Sequence, residues 1–358
     1  MAKRWHCHFE TEMKSELDQF PRTPASSLTG TNPLRQPRTK QLSVDVARSD
    51  SQRPFQEGPS IPTGIRLGDG IVGVRELPDS SVHLIASDIP YGIGADDWDV
   101  LHRNTNSALL GSSPAQKRAG AIFRKRGKPI NGWSEADRLI PKQYYEWCAT
   151  WAKDWFRVLK PGGTVFIFAG RRYAHRCICA LEDAGFSFKD MLAWLRDRAP
   201  HRAQRLSVVF ERPGDIEAGE RWQGWRVGNL RPAFEPILWF IKPYKIGTTI
   251  ADNALIHGVG PYNEAALRRY VKRPDNVLDI GFMPSEVGFH PTQKPVRLMQ
   301  ALIEIATQPK QLVLDPFAGS GTTLVAAKNT DRRALGFEIN PDYVRIAEQR
   351  LTPDLFTQ

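Results

Sequence analysis

Leu312-Val-Leu-Asp315-Pro-Phe317-Ala-Gly319-Ser-Gly321-Thr-Thr-Leu324 is the stretch that sets the fold class. A short apolar strand breaks into a glycine turn, and the turn opens into an apolar helix. Gly319 and Gly321 let the backbone come close to a ligand, and the new helix offers its first N–H groups to a carboxylate. Dinucleotide-binding folds share this logic, so the turn alone is only moderately specific. The next run, Arg333-Ala-Leu-Gly-Phe-Glu338, reads as a strand ending in an acid 17 residues beyond Gly321. A carboxylate there can accept both hydroxyls of a ribose. Glu338 could instead cap the helix beginning near Pro341, but its place at a strand end beside the glycine turn favours the ribose.

Upstream, short apolar runs alternate with helix-length stretches, the pattern of a mainly parallel sheet. Strands are expected at Gly64–Leu67, Val82–Ser87, Thr164–Ala169, Met191–Leu195 and Pro236–Ile241, with Gln311–Asp315 and Ala334–Glu338 closing the set. In Lys142–Leu159, Tyr144, Cys148, Trp151, Trp155 and Leu159 recur every three or four residues, which predicts an amphipathic helix with an aromatic core stripe. Lys160-Pro-Gly-Gly163 then reads as the turn that ends it. A second helix is expected over Val296–Ala306. Residues 93–141 and 244–289 do not follow this rhythm. The first is long and basic, with Arg124-Lys-Arg126, and a compact domain seldom spends so many residues on a loop without a functional reason. Residues 1–62, rich in Pro, Ser and basic side chains, read as a poorly ordered extension that could add affinity for phosphates. No internal repeat is evident.

Ser87-Asp88-Ile89-Pro90-Tyr91-Gly92 directly follows the apolar run Val82–Ala86. By itself it is an ordinary strand end with a Pro-Tyr turn. Beside a nucleotide-type glycine motif it acquires a chemical reading. The exocyclic amine of a base is a poor nucleophile because its lone pair is delocalised into the ring. Two acceptors gripping its hydrogens, the Asp88 carboxylate and the Ile89 carbonyl, would localise that pair. Pro90 would stiffen the turn, and Tyr91 would stack on a base turned out of its duplex.

The chain has 358 residues, 41% of them apolar and 25% charged, with a formal net charge of +10. That is enough for one large α/β domain with insertions, and the charge suits a polyanionic partner. The four cysteines are too few for a disulfide framework and lack zinc-site spacing, so they read as buried free thiols and no metal is expected. No apolar run approaches the ~18 residues of a membrane span, and the start lacks the apolar segment of a secretion signal; a cytoplasmic protein is expected.

Together these motifs resemble the amino-group DNA methyltransferases of the β arrangement, in which the catalytic tetrapeptide precedes the glycine motif. Asp88-Ile-Pro-Tyr91 is similar to the family's Asp-Pro-Pro-Tyr, with Ile89 in place of the first proline. Phe317-Ala-Gly-Ser-Gly321 matches the cofactor signature, His290-Pro-Thr-Gln-Lys-Pro295 the segment ahead of it, and Leu67-Gly-Asp-Gly70 the motif before the catalytic strand. Lys160-Pro-Gly-Gly163 and Phe234–Pro243 are smaller echoes. The resemblance spans about Ile65 to Leu351.

It implies a circularly permuted S-adenosylmethionine-dependent methyltransferase fold, with a seven-stranded, mostly parallel sheet between helices in residues 63–358. It assigns catalysis to Asp88, Ile89, Pro90 and Tyr91. It assigns the S-adenosylmethionine pocket to Asp69, Gly70, Thr292, Lys294, Asp315, Phe317, Ala318, Gly319, Ser320, Gly321, Thr322 and Glu338. Within that set Asp69 would bond the adenine amine, Glu338 the ribose, and Thr292 and Lys294 would lie near the methionine end. Target recognition would fall to residues 244–289, and the basic insertion 93–141 would help clamp DNA. Asp at position 88 leans toward the N6 amine of adenine, with N4 of cytosine as the alternative. RNA as substrate and an inactive DNA-binding relative are the other readings. Besides double-stranded DNA, a homodimer and a cognate restriction endonuclease are left open as partners.

Overall fold

All seven expected strands form, and they lie in one sheet. The structure is a computed structural model that describes residues 61–92, 135–196, 203–212, 214–283, 286 and 293–352; residues 57–358 form one unit. The extension expected over 1–62 lies outside the described residues except for Ile61 and Pro62, as do the greater part of the insertion 93–141, Cys7 and Thr292.

In chain order the elements are β1 (Gly64–Leu67), α1 (Gly70–Arg75), β2 (Val82–Asp88), α2 (Glu135–Val158), β3 (Leu159–Phe168), α3 (Ala174–Asp183) and β4 (Ser187–Leu195). A small excursion follows, comprising β5 (Gln204–Arg205), α4 (Leu206–Glu211), α5 (Ile216–Arg221) and β6 (Arg226–Val227). The chain continues through β7 (Phe234–Ile241), α6 (Ile250–His257), α7 (Glu264–Leu267), β8 (Val277–Leu278) and α8 (Val296–Ala306). It closes with β9 (Leu312–Asp315), α9 (Thr322–Asn329), β10 (Arg333–Glu338) and α10 (Pro341–Leu351).

The sheet order is β1-β10-β9-β2-β3-β7-β4-β8. β7 runs antiparallel to both its neighbours, and the other pairings within this sheet are parallel. The eighth strand, β8, adds two residues along the outer edge of β4 to the seven expected.

The sheet is apolar on both faces because helices cover both. On β2, Val82 and Ile85 join the cluster that contains Tyr144, Cys148, Trp151 and Trp155 of α2. Leu84 and Ala86 join the opposite cluster, with Leu298, Leu302 and Ile303 of α8. A strand buried on two sides reads as a continuous apolar run, which is why Val82–Ala86 shows no alternation. The aromatic stripe of α2 is core as expected: Tyr144, Trp151 and Trp155 are fully buried, and the two indole rings lie 4.2 Å apart.

Three local details differ from expectation. Helix α2 begins at Glu135, and Pro141 lies inside it. Pro141 is the seventh residue, past the first turn, so it removes one backbone hydrogen bond and crowds the carbonyl one turn earlier. Lys160-Pro-Gly-Gly163 is not a free turn but part of β3, where the ladder jumps from Val82↔Leu159 to Leu84↔Thr164. Gly162, at φ +76°, supplies the left-handed residue that this bulge needs. Finally, Cys148 and Cys177 are buried free thiols, but Cys179 is exposed.

The direction of β7 decides which loops meet. Leu195, at the end of β4, pairs with Phe234, at the start of β7. The excursion between them therefore leaves and re-enters the sheet at the edge where β2 ends. β7 then delivers the chain to the opposite edge, where Ile241 pairs with Thr164 and Ser187. There Asn253 of α6 donates to the carbonyls of Pro161 and Val259. Only from β8 onward does the chain return to the β2 end, and Trp194 donates to the Ile280 carbonyl at 2.9 Å.

Candidate active site

β2 and β9 are adjacent parallel strands, in register at Leu84↔Val313 and Ile85↔Leu314. Their carboxyl ends therefore open on the same edge, and the turn after each faces one crevice, the usual ligand position in an open α/β sheet. The Ser87 hydroxyl donates to Asp315 Oδ1 at 2.7 Å, tying the two strand ends together. A cavity of about 960 Å³ lies over them, lined by Asp88–Tyr91 from the first turn and by Asp315–Ser320 from the second.

Asp315 shapes the glycine turn. Besides Ser87 it accepts from the Phe317 N–H at 3.1 Å and the Thr323 hydroxyl at 2.5 Å. Burial pushes its carboxyl up to about 6, against the pull of these three donors. Gly321, at φ +78°, is the N-cap of α9 and packs against Ala347. It bends the chain without itself lining the cavity. Ser320 and Thr322 line the cavity, and Arg350 donates to the Ser320 carbonyl and the Thr322 hydroxyl. Ala318 and Phe317 complete this wall.

Glu338 ends β10 beside the turn, as expected. Its Oε2 accepts from the Gly319 N–H at 2.9 Å and its Oε1 from the Asn340 N–H at 2.8 Å. Burial raises its pKa, opposed by these backbone donors. Backbone donors from Gly319, Ile339 and Asn340 fix the carboxylate, which as a four-site acceptor can still take a ligand hydroxyl. Asp69 and Gly70 line the cavity from the other side. Asp69 also caps α1 by accepting from the Ile71 N–H at 2.8 Å.

On the target side, Asp88 and Tyr91 are gathered with Lys294, and with Glu235, which lies in the family-like stretch Phe234–Pro243 but has no role assigned from the sequence. Lys294 Nζ lies 2.6 Å from Asp88 Oδ2 and 3.0 Å from Glu235 Oε1. The resemblance places Lys294 near the methionine end of the cofactor; in the structure its ammonium sits on the Asp88 carboxylate. Burial raises the Asp88 carboxyl, with Lys294 opposing the shift and Glu235 adding to it. Burial works the same way on Glu235, yet Lys294, Tyr91 and Arg196 together hold it below the usual carboxylate range. Ile89 is buried in the core, and Pro90 lends its carbonyl to the Tyr144 hydroxyl at 2.8 Å. The turn that has isoleucine for proline at position 89 is thus held by packing and by a hydrogen bond. Trp147 is a further residue that sequence reasoning missed, because it lies on the aromatic helix that reads as core. It lines the cavity and packs 5.9 Å from the Phe317 ring.

A family model described as DNA methylase matches residues 82–349. The Type II methyltransferase M.HindIII of Haemophilus influenzae is 54% identical over 288 residues, covering 79% of this chain and 93% of that protein. The chain belongs to the N6/N4 DNA methyltransferase family.

This DNA methyltransferase is also 26% identical over 296 residues to the DNA adenine methyltransferase YhdJ of Escherichia coli, covering 79% of the chain and 81% of YhdJ. Its fold is shared with the PvuII DNA methyltransferase (cytosine-N4-specific), at TM-score 0.53 and 18% identity, over 85% of this chain and 92% of that one. The methyltransferase uses S-adenosylmethionine, and the residues present fit it. Glu338 offers a fixed carboxylate of the kind a ribose needs. A Cβ on Gly70 would sit 1.8 Å from the Pro316 carbonyl oxygen, so only glycine lets the two turns close on each other. Among the described residues no helix is long and apolar enough to cross a membrane, and no three metal-ligating side chains cluster.

Proposed function

We propose that this DNA methyltransferase acts on the N6 amine of an adenine turned out of duplex DNA, with Asp88 as the catalytic carboxylate. The observation that carries the reading is the shared cavity. Asp88 at the end of β2 and Glu338 at the end of β10 face one space, with the glycine turn between them. S-adenosylmethionine supplies a methyl group already activated by its sulfonium, so the protein needs alignment rather than a nucleophile. Asp88 and the Ile89 carbonyl hold the amine hydrogens and aim the nitrogen lone pair at the methyl carbon. As the new N–C bond forms and the S–C bond breaks, the amine gives one proton to Asp88. Tyr91 and Trp147 line the cavity and supply aromatic faces for the base and the cofactor. Asp at position 88 and the likeness to an adenine methyltransferase support adenine over cytosine.

The test is transfer of labelled methyl from S-adenosylmethionine to unmethylated duplex DNA, followed by nucleoside analysis. Label in N6-methyladenine is expected; label only in N4-methylcytosine would reverse the choice of base.

For DNA recognition, placement favours part of residues 244–289 and adds a segment outside it. Helix α6 packs at the sheet edge opposite Asp88, too far back to read bases beside the target. Residues following β8 lie at the same edge as Asp88, with Phe282 and Met283 exposed. So does the excursion after β4, which exposes Trp222, Trp225 and Leu230. We assign recognition to these two rims. The basic run Arg124-Lys-Arg126 serves as a clamp in the same reading. Replacing its three cations with alanine should lower the slope of log affinity against log salt by roughly 1 for each phosphate no longer neutralised; an unchanged slope would assign the run to solvent.

A further inference from the structure

Asp88, on the target side of the cavity, shares its partners with a second carboxylate that is not part of the cavity wall. Glu235, second residue of β7, is buried. The Tyr91 hydroxyl lies 2.5 Å from Glu235 Oε1 and 2.9 Å from Asp88 Oδ1. A hydroxyl has one proton, so Tyr91 can donate fully to only one of them. Lys294 bridges the same two groups, and Arg196 approaches Glu235 Oε2 at 3.3 Å.

Asp88 Oδ2 therefore carries Lys294 before any base arrives, while Oδ1 shares the Tyr91 hydroxyl with Glu235. Each oxygen keeps a second lone pair for an amine hydrogen, but once Asp88 accepts the amine's proton it loses the charge that Lys294 is paired with. A buried ammonium left without its counter-charge is a strongly unfavourable state. Here Lys294 and Tyr91 each have a second acceptor within bonding distance. We propose that Glu235 is a positioning residue that retains Lys294 and Tyr91 while Asp88 takes up the proton of the target amine. The proposal rests on the catalytic reading of Asp88 above.

The charged and titratable groups around Asp88 come from every neighbouring element: Tyr91 in its own turn, Glu235 on β7, Arg196 after β4, Lys294 ahead of α8 and Asp315 on β9. Glu235 works on Asp88 in two ways. It takes a share of Lys294, and its negative charge favours the protonated form of Asp88. Neutralising Glu235 should therefore tighten the Lys294–Asp88 pair and make Asp88 more acidic.

The experiment is steady-state transfer to unmethylated duplex DNA across a pH series, with Glu235→Gln, Glu235→Asp and Asp88→Ala beside the parent protein. In Glu235→Gln, kcat should fall roughly 10- to 100-fold, as for a displaced reacting group. The KM for S-adenosylmethionine should stay within a few-fold, and the acid limb of the kcat profile should move down by about one pH unit. Glu235→Asp keeps the charge but withdraws it by one methylene. It should keep the acid limb in place and lose part of kcat, and it serves as the decisive variant if Gln does not fold. A parental kcat in both variants overturns the proposal, and so does a loss in Glu235→Gln with the acid limb unmoved, which would mark a structural role. Transfer persisting in Asp88→Ala would instead overturn the catalytic reading itself, whatever Glu235 does.

Discussion

Replacing Asp88 with alanine should lower methyl transfer by at least ~10³-fold, within the range that a positioned acid–base group contributes, while S-adenosylmethionine still binds within a few-fold of the parent. The site contains the reason that the protein should survive the change. Removing a carboxylate from a buried pair ordinarily strands the partner cation, at about 3–5 kcal/mol. Lys294 is not stranded here, because Glu235 Oε1 already lies 3.0 Å from its ammonium. The opposite wall, built from Asp315, Gly319, Ser320 and Glu338, is held by bonds within itself and to Ser87 and Arg350. Calorimetric titration with S-adenosylmethionine separates binding from transfer. Asp88→Asn is the sharper variant, because it nearly preserves shape but can turn an amide donor toward the amine hydrogens. It should be almost as inactive as alanine. Loss of cofactor affinity in step with activity would show that Asp88 supports the pocket rather than the chemistry.

Gly70→Ala should abolish cofactor binding and destabilise the domain. The added Cβ would stand 1.8 Å from the Pro316 oxygen and 2.8 Å from its carbonyl carbon. Both are backbone atoms that no rotamer change can move, and Pro316 precedes the glycine turn. Relief requires the β1–α1 turn and the β9–α9 turn to separate, which opens the crevice that S-adenosylmethionine must fill. Overpacking of this kind typically costs about 1–3 kcal/mol, and a misplacement near 1 Å can reduce rates about 100-fold. Thermal melting with and without S-adenosylmethionine would check both effects: a lower midpoint, and no rise on adding cofactor. Gly281→Ala is the control, since a Cβ there meets nothing within 4 Å. Unimpaired binding in Gly70→Ala would show that the two turns part without harm.

Much of this protein is legible in its sequence because the signals are local. The central strands β2, β3, β7 and β9 show as apolar runs because helices cover both of their faces. The glycine turn is readable because Gly319 and Gly321 have positive φ, a conformation that few other residues adopt. Glu338 and Asp88 stand out because each ends a strand, and in a parallel sheet strand ends are where ligands bind. Ser87 and Asp315, whose hydrogen bond joins the ends of β2 and β9, are 228 residues apart. Only the joint presence of both motifs points to that pairing, since neither strand carries a mark of its neighbour.

What the chain does not announce depends on direction and register. β7 is as apolar as the parallel strands β2 and β3, and nothing in Phe234–Ile241 says that it runs the other way. Yet that reversal puts Glu235 at the same end of the sheet as Asp88, within bonding distance of Tyr91 and Lys294. In sequence, Glu235 falls within the family-like stretch Phe234–Pro243, but nothing there says what it touches. The same reversal carries the first part of residues 244–289 to the far edge and brings the excursion after β4 to the near one. Lys160-Pro-Gly-Gly163 shows the same limit on a smaller scale: a turn by composition, it becomes a bulge because Leu84 pairs with Thr164. The sequence by itself determined the layered α/β fold, the glycine turn and the two strand-end acids, because burial on both faces and positive φ leave marks at the residues concerned. Tertiary structure alone decided the partners of Asp88, because an ion pair between residues on separate strands depends on strand order and direction, which no local pattern encodes.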